Sequence, residues 1–166
     1  MPLPSGALPE SPTTQPLVVW VVVDGKPGHM NQSLGLAEAL ARATPTVTHL
    51  IPVPRAWRAG LTLLLRRAPS KSTPPPDLIL GAGHATHLTL LAARRACGGR
   101  TVVLMKPSLP RGCFDLCILP EHDGVAGDEQ TLVTEGALNR VRASDTRSSK
   151  LGLILIGGTS PKLLAI

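Results

Sequence analysis

The chain has 166 residues, of which 43% are apolar and 17% charged, and its formal net charge is +6. This length suits one complete α/β domain, and the apolar content excludes a largely disordered chain. With two Trp, one Phe and no Tyr, the chain has almost no side chains on which unpaired bases can stack, so nucleic acid is not expected as a partner.

The charged residues are not spread evenly along the chain. No Asp or Glu occurs between Ala39 and Pro76. The basic residues of this stretch are Arg42, Arg55, Arg58, Arg66, Arg67 and Lys71. A basic face attracts nucleic acid, anionic lipid or a phosphorylated small molecule, and charge alone does not choose among them.

The amino terminus and the cysteines bear on where the protein is located. Residues 1–16 are rich in Pro and Ser and lack a basic start, and the apolar run that follows is too short for a signal peptide or a membrane span. We interpret residues 1–16 as a disordered leader. Cys97, Cys113 and Cys117 form no CxxC pair, which predicts free thiols in a reducing compartment. We therefore expect a cytoplasmic protein, with peripheral membrane association as a further option.

Short apolar runs alternate with amphipathic segments in the first half of the chain. Leu17 to Val23 has the pattern of a buried parallel strand, and Asn31 to Ala43 has the spacing of a helix. Val47 to Val53 is the second predicted strand. Arg55 to Arg67 is predicted to be an amphipathic helix, and the KSTPPP stretch after it a loop.

The same alternation continues to about residue 133. Asp77 to Ala82 is the third predicted strand, and His84 to Ala96 is a helix that stops at two glycines. The remaining predicted strands are Thr101 to Met105, Asp115 to Leu119 and Gln130 to Val133. Strands alternating with helices predict an α/β fold with a Rossmann-like open parallel sheet, whose ligands bind at the carboxyl ends of the strands.

The end of the chain has the pattern of a new folding unit. After a polar linker, Leu151 to Ile156 predicts a buried strand, and the few residues beyond its GGTSP turn are too short for a covering helix. We therefore predict a Rossmann-like domain at 17–145 and, at 146–166, a linker with the first strand and loop of an incomplete second domain. In this interpretation the chain is truncated, and the missing domain or a partner covers 151–156.

The first candidate site follows the first strand, in the sequence DGKPGHMNQ at 24–32. Gly25 and Gly28 let the backbone approach a ligand, the start of a helix offers free N–H groups, and Lys26 and His29 add donors. This set suits an oxygen-rich anion, such as a phosphate or a sugar that carries one. The alternative is that the glycines only shape a tight turn. The motif is neither GxGxxG nor a Walker loop, so neither a dinucleotide nor ATP is predicted.

Two further clusters follow the third and fifth strands. His84 and His87 have the spacing to share a helix face, but no carboxylate or Cys ligand lies nearby in sequence, so we favour capping or substrate binding by His84 over a metal. His122 and Asp123 are either part of a solvated loop or a pair that can act as a general base.

Two other segments also have more than one interpretation. Lys106-Pro107-Ser108, after the fourth strand, is as consistent with a surface turn as with the wall of a site. The apolar side of the helix at 55–67 faces the sheet or, in the alternative, an anionic membrane surface with Arg58 and Arg67 at its edge; we favour the sheet.

Several motifs resemble one known family. DGKPGHMNQSLGLAEAL, DLILGAGHATHLTLLAAR, FDLCILPEHD, TEGALNRV and LILIGGTS occur in the order found in the mitochondrial fission family named for elongated mitochondria in plants, which has many bacterial members. That family is similar to GT-B glycosyltransferases, in which two Rossmann-like domains face each other across a cleft. The resemblance implies that this chain is the N-terminal half of a GT-B-like fold. It departs from the family in lacking nearly all of the second domain and in the turn LMKPSLP.

The resemblance also implies a function. The N-terminal domain is expected to bind an acceptor or another anionic, sugar-like ligand, and the complete protein to transfer a sugar from a nucleotide-sugar, whereas this chain alone is expected to be inactive. The alternative is a non-catalytic factor that associates with membranes. Neither a metal nor a resident cofactor is expected.

The family motifs assign roles to individual residues. His29 and, as second choice, Asp123 are the implied catalytic bases. Gly157, Gly158 and Thr159 are implied to bind the nucleotide-sugar donor. The residues implied to bind substrate are Asp24, Gly25, Lys26, Gly28, His29, Asn31, Gln32, Gly83, His84, His122 and Asp123.

Overall fold

The computed structural model describes residues 15–55, 60, 63–70 and 72–142. The predictions for most of the leader, for much of the helix at 55–67 and for the second-domain segment, including Gly157, Gly158 and Thr159, lie outside the described residues.

Six parallel strands form one open sheet, which confirms the predicted Rossmann-like α/β fold. The strands are β1 (Leu17–Val23), β2 (Thr46–Pro52), β3 (Leu78–Ala82), β4 (Arg100–Leu104), β5 (Leu116–Pro120) and β6 (Thr131–Thr134). Each lies within one residue of its predicted bounds. Pro52 is tolerated because it ends β2, which is an edge strand.

The strand order is β2-β1-β3-β4-β5-β6. The chain first moves outward from β1 to β2 and then returns to β3 on the other side of β1. The direction of winding therefore reverses between β1 and β3, and a crevice opens there beyond the carboxyl ends of the strands.

Two helices, α1 (Pro27–Ala43) and α2 (His87–Cys97), cover opposite faces of the sheet. α1 packs on the face that contains Val19 and Val21, and α2 packs on the face that contains Trp20 and Val22. Successive strand side chains point to opposite faces, so the continuous apolar run of β1 supplies both cores. Trp20 also donates from Nε1 to the carbonyl of Pro74 at 3.0 Å, which fastens the predicted proline loop to the sheet.

The predicted start of the first helix at Asn31 is wrong, because α1 begins at Pro27. Proline suits the first helical position, where its φ is already helical and an N–H would have no intrahelical partner. Pro and Gly usually interrupt helices, so the pattern Lys-Pro-Gly by itself favours a loop. The loop after β1 is therefore only Asp24–Lys26, and His29 lies in the first turn of α1.

The start of the helix predicted at His84 differs as well, but in the other direction: the helix begins after His84 and not at it. A 3₁₀ turn covers His84–Thr86, and α2 starts at His87. The helix ends at Cys97 as its glycines indicate, and the amide of Gly98 donates to the carbonyl of Arg94 at 2.9 Å.

The segment after β6 returns across α1. Leu138 packs against the cluster on the α1 face of the sheet, and Arg140 donates to Glu38 on α1 at 2.7 Å. The Asn139 backbone lies so close to Gly35 that a Cβ built on this glycine would be 2.6 Å from the Asn139 carbonyl carbon. A residue without a side chain is therefore needed at this point of α1.

Candidate functional site

A cleft of about 400 Å³ lies at the carboxyl ends of β1, β3 and β4. This is the place where the reversal of strand order predicts a ligand site. Its lining residues are Lys26, His29, Gly83, His84, Met105, Lys106, Pro107 and Ser108. A larger hollow of about 480 Å³ lies at the opposite end of the sheet, but the carboxylate of Asp77 there is already bonded to the amide of Val18 at 2.8 Å.

His29 is oriented by a buried carboxylate. Its Nδ1 lies 2.8 Å from Oδ2 of Asp24, and the Asp24 side chain is 3% exposed against 19% for His29. The other carboxylate oxygen accepts the amide of Lys26 at 3.1 Å. Burial by itself raises the pKa of Asp24, but the hydrogen bonds from His29 and from the Lys26 amide outweigh it, and the net pKa lies below the usual value.

This pairing determines which nitrogen of His29 is left as a hydrogen-bond acceptor. An ionised carboxylate only accepts hydrogen bonds, so Nδ1 of His29 carries the hydrogen and Nε2 of the neutral ring has a lone pair. The backbone of Gly83 packs closely against the imidazole ring of His29. Its φ is +82°, and a Cβ at this position would contact Cε1 and Nδ1 of His29. The cleft therefore contains an oriented imidazole that can take a proton from a hydroxyl.

The charged groups that line the cleft are positive. Lys26 caps α1 at its amino end, and the first intrahelical hydrogen bond runs from Met30 N to Lys26 O at 3.0 Å. The amides of Gly28 and His29 precede that bond, and no acidic residue occupies the first turn. Lys106 adds a second ammonium group from the turn after β4. This arrangement favours an anion.

The turn after β4 is the wall of the cleft, which settles the open choice between a wall and a surface turn. Met105 has a positive φ of 73°, and its amide donates to Ile118 O at 3.1 Å. The next amide, that of Lys106, donates to Oδ2 of Asp123 at 3.1 Å. Asp123 thus holds the turn in place, and it is not among the residues that line the cleft.

The structure separates the remaining predicted site residues. Gly25 has a φ of +81° in the loop after β1. Asn31 and Gln32 lie further along α1 than the lining residues, and Gly28 is exposed in its first turn. His122 is exposed in the 3₁₀ turn Glu121–Asp123. Their roles in binding stay predictions.

The two histidines after β3 do not share a face. His84 lines the cleft, whereas His87 is 2% exposed and packs against Phe114 with ring centroids 5.2 Å apart. Within the described ranges, no group of three His, Cys, Asp or Glu residues has the geometry to hold a metal ion. Cys97, Cys113 and Cys117 are all free thiols, and burial raises the pKa of Cys97 and Cys117.

The site and the fold together define the class of protein. An open parallel sheet with a basic cleft at its switch point is a doubly wound α/β domain. The sequence model of the family described as Mitochondrial fission ELM1 matches residues 27–164, and the chain belongs to this family. The resemblance that the motifs indicate is thereby confirmed at the level of the family.

A curated relative and the solved structures add two findings. The chain is 28% identical over 113 residues to the uncharacterized protein RP120 of Rickettsia prowazekii (strain Madrid E). The alignment covers 63% of this chain and 32% of that relative, so the chain matches about a third of the relative's length. No solved structure matches the chain. In the part of the chain that the structure describes, no helix is both long and apolar enough to cross a membrane.

Proposed function

We propose that the cleft binds a phosphate-bearing or otherwise anionic sugar-like ligand, and that the domain is the acceptor-binding half of a GT-B-like glycosyltransferase. The observation that carries this proposal is that Lys26, Lys106 and the imidazole of His29 converge on one cleft. The imidazole is oriented by Asp24. The GT-B architecture rests on the family resemblance.

The arrangement supports a direct transfer. The lone pair on Nε2 of His29 takes the proton of an acceptor hydroxyl while the hydroxyl oxygen forms a bond to the anomeric carbon of the donor sugar. The bond from that carbon to the donor diphosphate breaks, and the diphosphate leaves with the electron pair. Asp24 stabilises the imidazolium that forms. Lys26, Lys106 and the amino end of α1 stabilise negative charge on the bound ligand.

Binding is tested first, with inorganic phosphate and glucose 1-phosphate as probes. In a ¹H–¹⁵N NMR titration, the amides of Gly28 and His29 are expected to shift. Lys26→Ala and Lys106→Ala are each expected to weaken binding about ten- to hundred-fold, the loss of one charge-assisted hydrogen bond. Arg100→Ala is the matched control, since it removes one exposed positive charge at the opposite end of β4. Equal weakening by all three variants would contradict a localised anion site.

Catalysis is tested in a protein that also contains the second domain. His29→Ala is expected to reduce sugar transfer about 10²- to 10⁴-fold, the usual contribution of a general base, with phosphate binding retained. Asp24→Asn leaves His29 in place but removes the charge that sets its tautomer, so a loss of kcat in the same range is expected. Unchanged transfer by His29→Ala would show that another group takes the proton.

A second candidate function is binding to an anionic membrane surface without catalysis. Leu64 is 74% exposed and Leu65 47%, and the exposed Arg66 and Arg67 follow them directly. Apolar side chains beside basic ones suit the interface of an anionic bilayer. Co-sedimentation with vesicles that contain phosphatidylserine is the test. Binding is expected to decrease with salt, to be absent with neutral vesicles, and to fall in Leu64→Ser/Leu65→Ser; equal binding to both kinds of vesicle would contradict it.

A further inference from the structure

His87, which the proposed mechanism does not use, is connected to the cleft through Ser108. Its Nδ1 lies 3.2 Å from Oγ of Ser108, and Ser108 lines the cleft. The other ring nitrogen, Nε2, is buried and has no hydrogen-bond partner among the residues that the structure describes. His87 is thus a buried polar side chain with one hydrogen bond, and that bond goes to a residue of the site wall.

The environment of the two ring nitrogens selects the tautomer of His87. A neutral imidazole carries one N–H donor and one acceptor. If Nε2 carried the hydrogen, a donor would be buried without an acceptor, which is rarer and costlier in proteins than an under-satisfied acceptor. The hydrogen is therefore on Nδ1, and His87 donates to Ser108. Burial lowers the pKa of His87, and the neighbouring His84 lowers it further, so the ring is neutral at pH 7.

This direction of donation fixes what Ser108 offers to a ligand. Its oxygen accepts the hydrogen from His87, and its own O–H is left free to donate into the cleft. If Ser108 instead donated its hydrogen to Nδ1 of His87, only the lone pairs of its oxygen would face the cleft, and these repel an anion. The same tautomer leaves His87 without a lone pair facing Ser108, so the serine is not activated as a nucleophile.

We propose that Ser108 donates a hydrogen bond to an anionic oxygen of the ligand and that His87 is the positioning residue that holds this hydroxyl in the donating orientation. The inference deepens the proposed function and rests on it. The Ser108 hydroxyl is a neutral, directional donor in the same wall as Lys106. The site is therefore expected to recognise an oxygen with a lone pair at a defined place rather than only a diffuse negative charge.

The test compares phosphate binding by two serine variants. Ser108→Ala is expected to weaken binding of inorganic phosphate at pH 7.5 about tenfold or more, because it removes one hydrogen bond to a charged group. Ser108 is exposed, so the fold is expected to tolerate the change. Ser72→Ala, in the exposed loop before β3, is the control and is expected to bind as the unmodified protein does.

The role of His87 is tested by its tautomer and by a matched pair of variants. Two-bond ¹H–¹⁵N spectra of the ring are expected to show Nδ1 protonated and Nε2 unprotonated. His87→Asn keeps a donor near the position of Nδ1 and is expected to retain most of the phosphate affinity, whereas His87→Leu is expected to lose as much as Ser108→Ala. A purely structural histidine would not produce this difference between two variants that are both folded by circular dichroism.

The outcomes distinguish the two proposals. Equal phosphate binding by the unmodified protein and Ser108→Ala overturns this inference and leaves the proposed function standing. A ring protonated on Nε2 overturns the role of His87. If the unmodified protein binds neither phosphate nor glucose 1-phosphate, the proposed function and this inference both fail.

Discussion

Gly83→Ala tests whether the backbone at the end of β3 holds His29 in place. Gly83 has φ +82° and ψ 152°, a region that only glycine adopts readily, and forcing another residue into it costs about 1–3 kcal/mol. The added methyl group would also overlap the His29 ring. The ring can move aside only by giving up its hydrogen bond to Asp24, a charged partner whose loss costs about 1.5–3 kcal/mol. The expected destabilisation is therefore about 2.5–6 kcal/mol.

The measurement is urea unfolding followed by circular dichroism, together with the thermal midpoint. For a protein of this size, a loss of that magnitude lowers the midpoint by roughly 5–24 °C. Gly28→Ala is the matched control, because Gly28 is helical and a Cβ there meets nothing within 4 Å. It is expected to leave stability unchanged or to raise it by up to about 1 kcal/mol.

A double-mutant cycle separates the two causes. In a His29→Ala background, the methyl group of Gly83→Ala has no ring to displace, so only the cost of the backbone conformation remains. The two substitutions are therefore expected to be less harmful together than the sum of their separate effects, by about 1 kcal/mol or more. Strict additivity, or a Gly83→Ala protein as stable as Gly28→Ala, would refute the contact between Gly83 and His29.

Three further predictions concern the supports of the cleft and the fold. Gly35→Ala is expected to destabilise the protein although alanine favours helices, because its methyl group would lie 2.6 Å from the Asn139 carbonyl carbon. Unchanged proteolysis of the segment around Asn139 would contradict this prediction. Burial lowers the pKa of His87 in the folded state, so the unfolded chain takes up the proton first, and stability should fall as the pH drops below the ordinary histidine pKa of 6.5. The loss of stability between pH 7.5 and 5.5 should be smaller in His87→Leu. Equal losses in the two proteins would exclude His87 as the cause. Asp123→Ala is expected to speed hydrogen exchange at the Lys106 amide, whereas Asp123→Asn keeps an acceptor there; equal rates in the two variants would show that the amide does not depend on Asp123.

The strands were predictable because each is a short apolar run in a sheet buried on both faces. In β1, for example, Val19 and Trp20 face different helices, so no polar residue interrupts the pattern. The order of the strands in the sheet was harder to predict from the sequence. A sequence does not show that β3 pairs with β1 rather than with β2, and this pairing places the loop after β1 beside the turns after β3 and β4.

The candidate site was predicted in part, and the reason for the missing part is geometric. Lys26, His29, Gly83 and His84 stand out because charged or ring side chains and glycines follow buried strands. For Lys106 and Ser108 the sequence left the choice between a surface turn and a site wall open, since nothing local marks them as facing the others. The hydrogen bond of His87 to Ser108 was also inaccessible, because it joins residues 21 positions apart and depends on how α2 packs.

The beginning of α1 matters to the chemistry as well as to the fold. Asp24 is fixed by its place directly after β1, and His29 reaches it only because the chain is already helical at Pro27. If the helix began at Asn31, His29 would lie in a loop, and holding its ring against Asp24 would cost conformational entropy. Pro27, with its φ set in advance, removes part of that cost. Pro27, which is not among the residues that line the cleft, thus helps to orient the imidazole of His29 beside Lys26.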